Sequence, residues 1–160
     1  MQAPPLDAEA RRQIGALIDR HRAQPGALLP LLHDVQHTLG HVPAAAVPMI
    51  ASALNLSRAE VHGVVTYYHH FRSEPPGRHV VQVCRAEACK ACGADALLAQ
   101  AERLLDCASG QTRADGAVTL EPVFCLGLCA TSPAIQIDER QHARVSPQRL
   151  HELLQPVVGA

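Results

Sequence analysis

All six cysteines of the chain lie after residue 80, and four of them stand in two close pairs. Cys84 and Cys89 share the stretch VCRAEACKAC, and Cys125 and Cys129 share VFCLGLCATSP. Two thiol pairs in short apolar stretches constrain the fold strongly, because each chemistry open to them brings chain segments together. They could form disulfides, hold zinc, exchange electrons as dithiols or hold an iron–sulfur cluster. At 160 residues the chain can bury a core without cysteine staples. The N-terminus, MQAPPLDAEARRQ, lacks the apolar stretch of a secretory signal. The expectation is therefore a cytoplasmic protein. There, thiols stay reduced and cysteine clusters mean metal or catalysis more often than disulfides.

The formal net charge is −1 and no long basic run appears, which argues against a nucleic-acid partner. No apolar stretch approaches the roughly 18–20 residues that span a bilayer. Nearly half the residues are apolar (48%), as a globular α/β protein requires and a disordered one does not.

The cysteine-free half reads as helices. Asp7 is placed to cap a segment ending near Ala23, with Ala10, Ile14, Leu17 and Ile18 on one face. Leu28, Leu31, Leu32, Val35 and Leu39 form the stripe of a second helix, and Gly40 suits the position after its end. Pro43 opens a third, closing near Asn55, with Pro48 implying an irregular first turn. Ser57-Arg58-Ala59-Glu60 is a capping box for a fourth. Together these predict a small helical bundle over residues 1–72, followed by a linker at SEPPG, residues 73–77.

From there the period changes. His79–Cys84 reads as a strand, Gly93–Asp106 as an amphipathic helix and Ala117–Phe124 as a second strand. Short strands follow at Ala134–Asp138 and Ala143–Val145, and Ser146-Pro147 starts a last helix. The order β-α-β-β-β-α predicts a thioredoxin-like α/β domain over residues 78–160, its first two strands parallel. Cys84 then ends the first strand and Cys125 the second, with Cys89 and Cys129 in the loops that follow. If the two strands are neighbours, both loops emerge at the carboxyl end of the sheet, where open α/β sheets place ligands.

Four convergent thiolates repel one another, and a cation or cluster resolves this. A [2Fe–2S] cluster takes two thiolates per iron, one pair from each loop. Gly127 allows a positive φ between the second pair. Two rivals stand beside this reading. Cys89-Lys90-Ala91-Cys92 is a C-x-x-C at a helix start, the arrangement of a thiol–disulfide oxidoreductase, though it leaves Cys125 and Cys129 unexplained. A structural zinc would use four thiolates, but zinc knuckles favour C-x2-C spacing. Cys92 and Cys107 read as small apolar thiols packed on the helix.

The pattern C-x4-C followed by C-L-G-x-C resembles the thioredoxin-like [2Fe–2S] ferredoxins. These include the small iron–sulfur subunit in the NADH-oxidising arm of respiratory complex I, and its relatives in NAD-reducing hydrogenases and formate dehydrogenases. Gly63–Phe71, GVVTYYHHF, is similar to that family's GV-x-TFY-x-x-F segment, with Tyr67 where Phe is usual. The resemblance covers nearly the whole chain. It implies one [2Fe–2S] cluster held by Cys84, Cys89, Cys125 and Cys129, and electron transfer within a hetero-oligomer without catalysis by this chain alone. It also implies a flavin (FMN)-bearing, NADH-binding partner subunit. Between the first two ligands complex I members read C-T-G-T-A-C. Here Cys84-Arg85-Ala86-Glu87-Ala88-Cys89 is more similar to the gamma subunit of cytoplasmic NAD-dependent formate dehydrogenases, which implies a larger molybdenum-containing catalytic subunit. Cys92 departs from the family pattern.

No other motif points to chemistry. No Gly-rich phosphate loop of the G-x-G-x-x-G or Walker kind is present, so the chain has no legible flavin or nicotinamide site and no catalytic residue. His33 and His37 are spaced for a metal, but they fall opposite the leucine stripe and read as a solvated polar face. Tyr67, Tyr68 and Phe71 read either as core between the two halves or as a docking surface for a partner subunit.

Overall fold

The computed structural model describes residues 5–159, which divide into two compact units at the Pro75–Pro76 bond. In the first, α1 (Ala8–His21) begins where the Asp7 carboxylate accepts a hydrogen bond from the Ala10 amide at 2.6 Å. The cap satisfies one of the donors that a helix start leaves unpaired. α2 (Leu28–Leu39) stops at Gly40, whose φ of 78° is left-handed backbone that favours glycine. Ala44–Ala46 form one 3₁₀ turn before α3 (Val47–Leu54). Pro48 falls in the first turn of α3, where its missing N–H has no intrahelical partner to lose. α4 (Arg58–Tyr67) opens with the expected capping box: Ser57 Oγ accepts from the Glu60 amide at 3.1 Å, and Glu60 Oε2 accepts from the Ser57 amide at 2.8 Å.

Ile14, Leu31, Leu32, Val35, Ile50, Val61 and Phe71 share one core. A cap contributes about 1 kcal/mol, whereas burying one such side chain contributes about 1.5–3 kcal/mol. Packing therefore holds the bundle, and the caps set where its helices begin. Phe71 belongs to this core while Tyr67 is 75% exposed, so the aromatic segment serves two environments within one unit. His33 and His37 are exposed, as their position opposite the stripe predicts. The ring of His33 nevertheless lies 4.8 Å from that of His70 and 5.1 Å from Phe71.

The second unit is α/β. Its strands are β1 (His79–Cys84), β2 (Gln111–Thr112), β3 (Val118–Val123), β4 (Ile135–Ile137) and β5 (Arg140–His142), in the sheet order β2-β3-β1-β4-β5. β1 and β3 are parallel, with His79 opposite Val118 and Cys84 opposite Val123. The other pairs are antiparallel. Pro122 is tolerated inside β3 because β2 pairs only with Thr119 and Leu120, leaving that edge of β3 open farther on. The helices are α5 (Glu87–Ala91), α6 (Ala94–Leu105) and α7 (Pro147–Val158). Leu97, Leu105, Leu150 and Leu154 from α6 and α7 join Val81, Val83, Leu120 and Ile135 of the sheet in one apolar cluster.

Three local expectations are corrected. Residues 143–145 do not form a strand. Asp138, with φ 53°, turns the chain tightly enough for β5 to begin at Arg140. Arg144 and Val145 then donate to the carbonyls of Thr131 and Pro133 instead of joining a ladder. Cys89 lies in the short helix α5, not in an irregular loop. Cys125 lies two residues beyond β3, which stops at Val123, and not at the strand's end; two-residue β2, with its exposed polar sequence, has no legible signal.

Candidate metal centre

The parallel register of β1 and β3 places Cys84 beside Val123, so both cysteine segments leave the same end of the sheet. The Arg85 amide donates to the Val123 carbonyl at 2.7 Å and the Cys84 amide to the Ala134 carbonyl at 3.1 Å. Arg85 also pairs with Asp95 of α6 at 2.9 Å, which ties the first segment down. In the second, Gly127 turns the chain with φ 77° and its amide donates to Cys125 Sγ at 3.3 Å. Gln141 of β5 donates to the Leu126 carbonyl at 3.2 Å. Cys129 opens a 3₁₀ turn, Cys129–Thr131.

The structure brings Cys84, Cys89, Cys125 and Cys129 to one end of the sheet as two unequal pairs. Cys84 and Cys89 are 2% and 1% exposed and sit in an apolar shell of Ala94, Ala134, Ala86, Val123, Leu126 and Leu128. Cys125 and Cys129 are exposed, their sulfurs 3.7 Å apart. Burial pushes the Cys84 thiol up, opposed by the amides of Ala86 and Leu126. Burial also pushes Cys89 up, but bonds from Ser132, Cys84 and the Ala134 amide outweigh it and leave Cys89 below its usual value. Cys129 is raised first by its bond to Cys125 and further by the charges of Cys125, Cys89 and Cys84. Both pairs thus feel each other electrostatically.

Sequence reasoning missed the groups that hold the sulfurs. The Leu126 amide, from the second cysteine segment, works against the rise of the Cys84 thiol in the first. Ser132 Oγ lies 3.4 Å from Cys89 Sγ. No local signal marks either, because each contact crosses between segments far apart in the chain.

The remaining cysteines separate. Cys107 is buried in the core and donates to the Gln111 carbonyl at 3.2 Å, the packed thiol its sequence predicts. Cys92 is corrected: it is exposed at the end of α5 and lines an open groove of about 440 Å³ with Ser132, Pro133 and Arg144.

This donor set fits a binuclear cluster. Soft thiolates in two pairs would supply two ligands to each of two irons, and the Gly127 N–H already points at Cys125 Sγ. Among the described residues no three His, Cys, Asp or Glu side chains are arranged around a single metal ion. No helix among them is long and apolar enough to cross a membrane.

Comparison with known proteins identifies the family. The thioredoxin-like [2Fe–2S] ferredoxin family matches residues 14–157. A subunit of the NADH-quinone oxidoreductase of Rhizobium meliloti (strain 1021) is 35% identical over 145 residues, covering 91% of this chain and 86% of the relative. The corresponding NADH-quinone oxidoreductase subunit of Escherichia coli (strain K12) is 35% identical over 150 residues, covering 94% and 90%. The crystal structure of a NAD+-reducing [NiFe]-hydrogenase in the air-oxidized state superposes with a TM-score of 0.71 at 26% identity. That match covers 88% of this chain but only 24% of the hydrogenase chain. The chain belongs to the thioredoxin-like [2Fe–2S] ferredoxin family, electron-transfer proteins that carry one [2Fe–2S] cluster.

Proposed function

We propose that this chain is the electron-transfer subunit of a NAD-linked oxidoreductase, with Cys84, Cys89, Cys125 and Cys129 as the four ligands of its cluster. The observation that carries this reading is the delivery of two thiol pairs to one end of the parallel β1–β3 pair, one pair buried and one exposed. When bound, the cluster accepts and passes on one electron at a time. The chain's own residues do the rest. Ala94, Ala134 and Leu128 keep water from the Cys84–Cys89 side, which with hydrogen bonding sets the potential. Phe124, Leu126 and the exposed Cys125–Cys129 turn offer the face where a second carrier docks.

Hydride from a nicotinamide must be split into single electrons by a flavin or similar group. The proposed partner is therefore a flavin (FMN)-bearing, NADH-binding subunit. The names of the matched relatives, NADH-quinone oxidoreductase and NAD+-reducing hydrogenase, support such a partner. Residues 1–72 would act as a helical domain distinct from a cluster domain at 78–160, adding docking area through exposed Tyr67 and Tyr68. A cytoplasmic location, where thiols stay reduced, belongs to the same reading. The finer reading is a formate dehydrogenase with a molybdenum-containing catalytic subunit. It rests on the Cys84–Cys89 sequence alone, and the matched relatives favour complex I or a hydrogenase equally.

The test is to purify the tagged full chain from cells that produce it naturally. A flavin-bearing subunit should co-purify, and NADH should reduce the cluster in the complex but not in the isolated chain. Rapid NADH oxidation by the isolated chain, without added flavin, would refute the reading. Molybdenum and formate-dependent reduction in the same complex would support the finer assignment; quinone or hydrogen activity would replace it.

A further inference from the structure

Hydrogen bonds reach the sulfurs from two kinds of group outside the cysteines. One comes from a backbone amide, Gly127 to Cys125 at 3.3 Å. The other comes from a side chain. Ser132 Oγ lies 3.4 Å from Cys89 Sγ and donates to the Cys129 carbonyl at 3.0 Å. Its single hydroxyl thus stands between one member of each cysteine pair. A thiol at Cys89 can donate to Ser132 Oγ while the hydroxyl keeps the Cys129 carbonyl. A ligating thiolate has no proton to give. The hydroxyl then turns to the sulfur, the stronger acceptor because it is charged.

We infer that Ser132 is a positioning residue for the cluster, setting its reduction potential through an O–H···S hydrogen bond to Cys89. This rests on the reading of Cys89 as a ligand. One added electron makes the cluster more negative, and the charge spreads onto the thiolate sulfurs. A donor fixed at one of them stabilises the reduced state more than the oxidised one, so it raises the potential. The effect is strong here because Cys89 is buried and little water competes for its sulfur. Ser132 is itself half-buried, and the Gly127 amide bond to Cys125 does not depend on its hydroxyl.

The experiment is an EPR-monitored redox titration of the cluster-loaded full chain as wild type, Ser132→Ala and Ser132→Thr, with Cys89→Ala prepared in parallel. Ser132→Ala should be harder to reduce. The ratio of reduced to oxidised cluster at a fixed ambient potential should fall several-fold, a tenfold fall being ~59 mV for one electron. Ser132→Thr, which keeps the hydroxyl, should titrate as wild type. An unchanged potential in a cluster-bearing Ser132→Ala protein overturns the inference. If Ser132→Ala loses the cluster, Ser132→Thr decides: a wild-type potential sustains the inference, while a lowered potential or a second loss makes the residue merely structural. If Cys89→Ala retains the cluster, it is the ligand assignment that has failed. That result is read from the cluster's visible absorption, independently of any potential.

Discussion

The sulfurs of Cys125 and Cys129 lie 3.7 Å apart on the exposed side of the site, while Cys84 and Cys89 are sealed within it. The asymmetry arises because Cys84 is the last residue of an internal strand, whereas Cys125 and Cys129 flank a glycine turn beyond the sheet.

The ligand assignment predicts the outcome of single substitutions. Changing Cys84, Cys89, Cys125 or Cys129 to Ser should lose or destabilise the cluster, because a serine oxygen matches soft iron–sulfur chemistry poorly. Cys92→Ser and Cys107→Ser should keep it. Visible absorption and EPR of the purified variants check this. A Cys92→Ser protein without the cluster beside a Cys89→Ser protein with it would reverse the assignment.

Gly77 is expected to tolerate no side chain. A Cβ there would meet backbone atoms of Val118 at 2.8–2.9 Å, and the Gly77 amide donates to Thr119 Oγ1 at 2.7 Å. Backbone of a sheet strand cannot swing aside as a flexible side chain can. Gly77→Ala should destabilise the fold by about 1–3 kcal/mol, read by denaturant unfolding, whereas Gly63→Ala, with open space at its Cβ, should show no such steric loss.

Gln36 is buried in the helical unit, donating to the His70 carbonyl and accepting from the Arg72 amide, both at 2.7 Å. Its amide closes the segment after α4 against α2. Gln36→Leu keeps the volume but removes both bonds, and should cost about 1–3 kcal/mol. A change within the error of the unfolding measurement would show that this clamp contributes nothing.

Acid stability should depend on Asp115. Its bond from Arg113, with a second from the Ala117 amide, lowers its pKa to about 2, below the ordinary 3.8. A carboxyl lowered on folding stabilises the fold while ionised. That contribution is complete above about pH 4 and vanishes as the pH falls through about 2. Wild type should therefore exceed Asp115→Asn in Tm by a constant margin near neutrality, and the margin should close between pH 4 and 2. A margin independent of pH across that window would contradict the ion-pair account.

Short-range signals in the sequence determined much of this protein. Asp7, Ser57 and Ser146 mark helix starts because a cap acts within three residues. The run His79–Cys84 is a strand that ends on Cys84, and β3 runs parallel beside it, because side-chain alternation and the crossover are written locally. The spacing of the two cysteine pairs carried the family resemblance. Tertiary structure alone decided the rest. That Cys92 is exposed while Cys89 beside it is buried depends on how α5 meets Ala134 and Leu128, not on the C-x-x-C spacing. β5 lies at 140–142, not 143–145, because Arg144 and Val145 bond to the loop at 131–133, a loop whose course follows from β1 pairing with β4. The Ser132–Cys89 contact joins residues 43 positions apart. Such a contact has no local signature: it exists only once the sheet has formed and set the two segments side by side.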